Sequence, residues 1–226
     1  MIPYKLLGTA SIPNNGGELI LTQHENNFSI HLKGVSGGLM NSRVHCSEVA
    51  LAELGCAHIK GTDNTKVLVG GLGMGFTLAA ALKAISISSQ IIVAELIPEV
   101  VEWNKGPLGE CAGRPLADDR VQIYLGDVAK FFKNKASHLF DAILLDVDNG
   151  PEGFTQAENS KLYLNKSLQA IRQTLRPGGV LAIWSAWHDP KFSLKLKKAR
   201  FKVENKTVRA HKGKGCRHTI YLATKI

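Results

Sequence analysis

The hydrophobic pattern of this chain changes period near residue 60. Before it, ELILTQHE (18–25) and FSIHLKG (28–34) alternate apolar and polar positions, the signature of half-buried strands, and Asn26-Asn27 between them predicts a hairpin turn. In SEVALAELGCAHI (47–59), Val49, Leu51, Ala52, Leu54 and Ala57 recur at helical spacing, with Ser47 placed to cap the helix. From Lys66 onward the apolar runs become short and continuous: KVLVG (66–70), QIIVAE (90–95), VQIYLG (121–126), FDAILLD (140–146) and GVLAIWS (179–185). Unbroken apolarity of that length predicts parallel strands covered on both faces. GFTLAAALKAI (75–85) and NSKLYLNKSLQAIRQTL (159–175) are long enough for crossover helices, and Arg176-Pro177-Gly178-Gly179 ends the second of them. RFKVENKTVRA (200–210) and RHTIYLATK (217–225) predict a final antiparallel pair around a Gly-Lys-Gly turn.

These elements predict an α/β fold: a doubly wound, Rossmann-like, mostly parallel sheet with an antiparallel C-terminal hairpin and a small N-terminal β-rich lobe. The expected division is a lobe with its connecting helix over residues 1–60 and a ligand-binding domain over 61–226. In such sheets ligands bind beyond the C-terminal strand ends. That rule brings together Gly70–Gly75, Glu95, Asp127 and Asp146–Asn149, each directly after a predicted strand.

Composition narrows the class. With 226 residues, 44% hydrophobic and 21% charged, the chain can bury a full core. It has no apolar run long enough to span a membrane, and its first residues lack a signal-peptide pattern, so the cytoplasm is the expected location. Cys46, Cys56, Cys111 and Cys216 are widely spaced, without the C-x-x-C pairs of zinc or thioredoxin-type sites, and no metal is expected. The net charge of +9 is uneven: residues 61–160 carry eight basic and thirteen acidic side chains, residues 161–226 sixteen and two. The basic end raises nucleic acid as a partner, against the plainer reading of a solvated face.

The loop VLVGGLGMGFT (67–77) lacks the Lys-Ser/Thr of a phosphate-binding P-loop and matches the dinucleotide fingerprint only in part. Its glycines, Gly70, Gly71, Gly73 and Gly75, let the backbone approach a ligand. Glu95, about twenty residues on, is placed to accept from both hydroxyls of a ribose. Asp127 is placed to accept from an adenine amino group, with the Val128 N–H donating to the ring, or to cap the following helix. Asp146 and Asp148 set two repelling carboxylates in one Gly-Pro-containing loop, a costly arrangement without a ligand. Acids at every strand end, and no lysine in the loop, suit a cationic nucleoside better than a pyrophosphate: S-adenosylmethionine or its decarboxylated form.

At these residues the chain resembles the spermidine synthase-like members of the class I S-adenosylmethionine-dependent transferases. The likeness runs through VLVGGLGMG, VAELIPEVVEWN, DDRVQIYLGD, FDAILLDVDNGPEG and LRPGGVLAIWS. It implies Gly71 and Gly73 as the cofactor loop, Glu95 for the ribose, Asp127 with Val128 for the adenine, and Asp146 as acid/base. The departures matter as much. Gly73 stands where aminopropyltransferases have an aspartate, Asn149 where they have an amine-gripping aspartate, with Asp148 one residue early, and SRVHCSE keeps only Glu48 of their amine-binding segment. The stretch MNSRVHCSE (40–48) makes Asn41, Ser42, Arg43, His45 and Glu48, together with Asn149, the acceptor-site candidates. An arginine at 43 over the pocket would prefer an acceptor carrying a carboxylate or phosphate.

The expected activity is therefore transfer from S-adenosylmethionine to a small-molecule acceptor, most simply of a methyl group. The alternatives are aminopropyl transfer from decarboxylated S-adenosylmethionine, an RNA-binding methyltransferase, and a cofactor-binding protein without catalysis. The family's habit of dimerising allows a homodimer.

Overall fold

The computed structural model describes residues 4–133, 138–147, 159–211 and 214–226, without the side chains of residues 159 and 160. Four strands form an antiparallel sheet in sequence order: β1 (Lys5–Ser11), β2 (Glu18–His24), β3 (Asn27–Leu32) and β4 (Gly38–Asn41). Helix α1 (Cys46–Gly55) leads to the second sheet. It contains β5 (Lys66–Gly70), β6 (Gln90–Glu95), β7 (Val121–Leu125), β8 (Phe140–Leu145), β9 (Leu175–Ser185), β10 (Phe201–His211) and β11 (Lys214–Lys225). The helices between them are α2 (Phe76–Ala84), α3 (Pro98–Lys105), α4 (Lys130–Lys133), α5 (Asn159–Leu162), α6 (Asn165–Thr174) and α7 (Pro190–Lys198).

The strand order is β10-β11-β9-β8-β5-β6-β7, with β5 to β9 parallel and β10 and β11 antiparallel. The chain winds outward from β5 through β6 to β7, then crosses back to β8 on the other side of β5. The switch point thus lies between β5 and β8, where a crevice opens at the strand ends.

Period-two geometry divides the core between the two faces of this sheet. Val67, Val69, Ala142 and Leu144 point to one face, where they meet Leu51 and Ala52 of α1, Leu78 and Ala81 of α2, and Leu21 and Ile30 of the small sheet. Leu68, Ile143 and Leu145 point to the other, against Leu168 and Ile171 of α6 and Phe192 and Leu196 of α7. Burial on both faces explains the unbroken apolar runs of β5 and β8. Because the four-stranded sheet packs into the same core as α1 and α2, its outer edge hangs over the switch point.

Local details depart from the sequence-based expectations. The turn between β2 and β3 is Glu25-Asn26, one residue earlier than Asn26-Asn27, with His24 paired to Asn27 and Glu25 at φ 54°. That register sends Leu19, Leu21, Phe28 and Ile30 inward together. His45, not Ser47, occupies the cap position of α1, and the Ser47 hydroxyl donates to Glu48 Oε2 at 2.6 Å. The segment 159–175 is two helices, because Leu164 is extended (φ −68°, ψ 151°). Strands β1 and β4 and helices α3 and α7 lie outside the elements predicted from periodicity.

Candidate active site

The glycine loop after β5 is shaped by its backbone. Gly71 (φ 89°) donates to Ala94 O at 2.9 Å, and Asp146 N donates to Gly70 O at 2.9 Å, so the ends of β5, β6 and β8 are tied together. A Cβ on Gly71 would stand 2.5 Å from the Asp146 carbonyl oxygen, which leaves room for glycine only. Gly73 (φ 53°) accepts at its carbonyl from Asn104 Nδ2 at 2.8 Å, and Gly75 (φ 84°) turns the chain into α2.

Glu95 ends β6 and is buried. Its Oε2 accepts from Leu72 N at 2.8 Å and its Oε1 from Ile97 N at 2.9 Å, so one carboxylate positions two loops. Burial pushes its carboxyl above the ordinary range, against the pull of the backbone N–H donors of Ile97, Leu72, Leu96 and Gly73. Asp127, after β7, accepts from Ala129 N at 2.8 Å in a short turn, and Val128 packs beside it.

The third feature joins β8 to α1. Asp146 Oδ2 accepts from the Thr77 hydroxyl at 2.7 Å, and the same hydroxyl lies 3.5 Å from the carbonyl oxygen of Glu48. Burial first, and the Glu48 charge second, push the Asp146 carboxyl up to about 7, with the Thr77 hydrogen bond opposing. Glu48 is also raised, by burial, against the hydrogen bond from Ser47. Two carboxyls that repel each other at neutral pH form a pair with a strong affinity for a proton or another cation.

These groups line a cleft of about 240 Å³ at the strand ends. The small sheet supplies an apolar wall of Ile12, Leu19, Ile30, Leu39 and Met40, and Trp184 stands at the end of β9. The titratable side chains lining the cleft are Glu48, Glu95, Asp127 and Asp146; among the described residues no Lys, Arg or His lines it. Such a donor set suits a nucleoside that carries positive charge: carboxylates for hydroxyls and amines, apolar walls for a ring, and, among the described residues, no cationic side chain for a phosphate.

Of the residues singled out from the sequence, Gly71, Gly73, Glu95, Asp127, Val128, Asp146 and Glu48 line this one cleft. Gly70 lies beneath, hemmed by Leu145 and Val128, and Gly75 caps α2. The other acceptor-site candidates of the 40–48 segment, Asn41, Ser42, Arg43 and His45, do not line it. Asn41 Nδ2 donates to Ser29 Oγ at 2.9 Å and its Oδ1 accepts from Arg43 N at 2.9 Å, while Ser42 Oγ accepts from Phe28 N at 2.9 Å. Arg43 is exposed, and His45 stacks on Phe76 with ring centroids 4.1 Å apart. Asp148 and Asn149 lie outside the described residues.

Sequence reasoning passed over Thr77, Met40 and Trp184. Thr77 carried a signal, as the one hydroxyl in the otherwise apolar opening of α2. Met40 carried none: it reaches the cleft because β4 ends against the glycine loop, where a Cβ on Gly73 would lie 3.1 Å from Met40 Sδ.

Residues 47–209 match the spermine/spermidine synthase domain. A polyamine aminopropyltransferase of Hyperthermus butylicus is 31% identical over 116 residues, covering 51% of this chain and 36% of that protein. A putrescine N-methyltransferase of Nicotiana attenuata is 34% identical over 128 residues, covering 54% of this chain and 33% of its own length. The matched segment thus spans about a third of these curated relatives. In structure, a spermidine synthase in complex with the transition-state analogue AdoDATO superimposes over 98% of this chain and 74% of its own, with a TM-score of 0.76 at 18% identity. The spermidine synthase of Thermotoga maritima gives a TM-score of 0.71 over 98% of this chain and 73% of its own, at 17% identity.

Proposed function

Since the chain belongs to the spermine/spermidine synthase family, we propose that it transfers an alkyl group from S-adenosylmethionine or a derivative to a small-molecule acceptor, most simply a methyl group. The observation that carries this reading is the cleft itself, whose ionisable lining among the described residues consists of carboxylates. When bound, the sulfonium cofactor supplies an electrophilic carbon and departs as a neutral thioether.

The chain's own residues then have distinct tasks. Glu95 would hold the ribose hydroxyls with the lone pairs left by Leu72 N and Ile97 N. Asp127 and the Val128 N–H would frame the adenine edge, and Gly71 and Gly73 would let the cofactor tail lie along the backbone. Asp146 would take the acceptor's proton. The Thr77 hydroxyl ties down Oδ2, which leaves Oδ1 to meet the nucleophile. Glu48 keeps that end of the cleft attractive to a cation, and the apolar wall excludes water during an in-line displacement that depends on alignment.

Methyl transfer is favoured by the close approach of Met40 to Gly73, which fills the space into which a longer side chain on the loop would project. The similarity to putrescine N-methyltransferases supports the same reading. One observation favours aminopropyl transfer instead: no basic side chain lines the cleft among the described residues to meet the carboxylate of S-adenosylmethionine, which the decarboxylated form lacks.

Thermal-shift titration with S-adenosylmethionine, decarboxylated S-adenosylmethionine and methylthioadenosine separates these readings. A ligand at about 100 times its Kd stabilises the folded state by about 2.7 kcal/mol. For a chain of this size that raises Tm by roughly 5–10 °C. The largest rise is expected with S-adenosylmethionine. A clear preference for the decarboxylated form would reverse the order of the two readings, and no rise with any of the three would overturn the cofactor assignment.

A further inference from the structure

We infer that the β10–β11 hairpin is a docking arm for the phosphate backbone of single-stranded nucleic acid, placed beside the mouth of the cleft. The first support is topological. β9 runs parallel to β5 and β8, so its end at Ser185 lies at the cleft edge of the sheet. β11 pairs with β9 only from Thr219 to Thr224, yet it continues to pair with β10 out to Lys214 opposite His211. Residues 208–211 and 214–218 therefore project past β9 as a two-stranded arm, roughly 15 Å long at 3.3 Å per residue.

The second support is charge placed against its own stability. Arg209 stands directly opposite Arg217 in the ladder. Like charges directly opposed across a strand pair are destabilising. Both arginines are exposed, and neither guanidinium has a hydrogen bond or ion pair among the described residues. The two acids of residues 161–226 are engaged elsewhere: Asp189 caps α7 by accepting from Lys191 N, and Glu204 pairs with Lys206 at 3.4 Å. An anion laid between the arginines would relieve the repulsion and accept their planar, forked donors.

The third support extends the surface beyond a small ligand. Asn205 Nδ2 donates to Ser193 Oγ of α7, so the face of β10 that bears Asn205 and Arg209 is the α7 side. On α7, Lys191, Lys197 and Lys198 are exposed, continuing the positive surface away from the arm. Trp187, 37% exposed, stands in the loop between β9 and α7 at the same edge of the sheet. A basic track flanked by an exposed indole fits a flexible single strand, whose phosphates meet the cations while a base stacks on the ring.

The test is fluorescence anisotropy of the full chain with a short labelled single-stranded RNA, titrated between roughly 50 and 200 mM salt. Binding should weaken steeply with salt. Arg209→Gln/Arg217→Gln should cost about tenfold or more at the low-salt end and reduce the slope of log affinity on log salt by about 1.4, since each single-strand phosphate contact contributes about 0.7. A matched control is Lys60→Gln/Lys83→Gln, which removes the same charge from exposed residues at the opposite edge of the sheet. It should leave affinity within about twofold. The arm variant should melt no lower than the parent, because a repulsive pair has been removed. Each single arginine variant should lose about half of the effect on a logarithmic scale, which keeps the reading testable if the double variant folds poorly. No binding at low salt, equal losses in the arm and control variants, or competition by an acidic peptide as strong as by RNA would each overturn the proposal.

Discussion

Asp146→Asn is expected to lower turnover by about 10²–10⁴-fold, the range for loss of a general base, while the cofactor-induced rise in Tm remains. The same variant should be more stable than the parent above pH 7. Between the ordinary value of 3.8 and about 7 the folded chain holds a proton on Asp146 that the unfolded chain releases. Stability therefore falls as pH rises through that window and stays low above it. At 1.36 kcal/mol per tenfold change in proton affinity, the penalty at pH 8 approaches about 4 kcal/mol, and asparagine removes it. At pH 4 the two proteins should melt together. The rate should rise with pH toward a plateau just above 7, and Glu48→Gln should move that rise to lower pH by removing the neighbouring charge. Parental turnover in Asp146→Asn would place the base elsewhere.

Gly71→Ala should abolish the thermal response to every cofactor and cost about 2–4 kcal/mol of stability. A φ of 89° is strained for an L-residue by about 1–3 kcal/mol, and the added Cβ would meet the Asp146 carbonyl oxygen at 2.5 Å. Relief requires β5 and β8 to part at the switch point, which displaces both the glycine loop and the proposed base. Chemical denaturation and cofactor titration of one preparation check the two effects together. A variant that binds cofactor as the parent does would show that the loop moves freely of β8.

Much of this site could be read from the chain because a parallel sheet brings distant residues together by a simple rule. Every strand points the same way, so Gly71, Glu95, Asp127 and Asp146, separated by up to 75 residues, meet on one edge once their strands are recognised. The continuous apolar runs that identify those strands are a local signal, fixed by burial on both faces. The glycines and the acids likewise stand where the runs end.

The segment proposed to meet the acceptor followed no such rule. Within MNSRVHCSE nothing in the spacing separates Arg43, which faces solvent, from Met40 and Glu48, which line the cleft. That division depends on where β4 ends and on how closely α1 lies on the sheet. Both are set by the packing of the small sheet against a core built from residues up to about 200 positions away. The raised proton affinity of Asp146 has the same origin: burial raises it first and the Glu48 charge second, and both depend on how α1 and α2 pack against the end of β8. The C-terminal charges, too, were visible as a number, but only the β10–β11 register set Arg209 against Arg217 at the cleft edge. Local patterning determined the parallel strands, their sheet and the strand-end acids. Non-local packing decided which side chains face one another across the cleft, because that packing has no periodic trace in the chain.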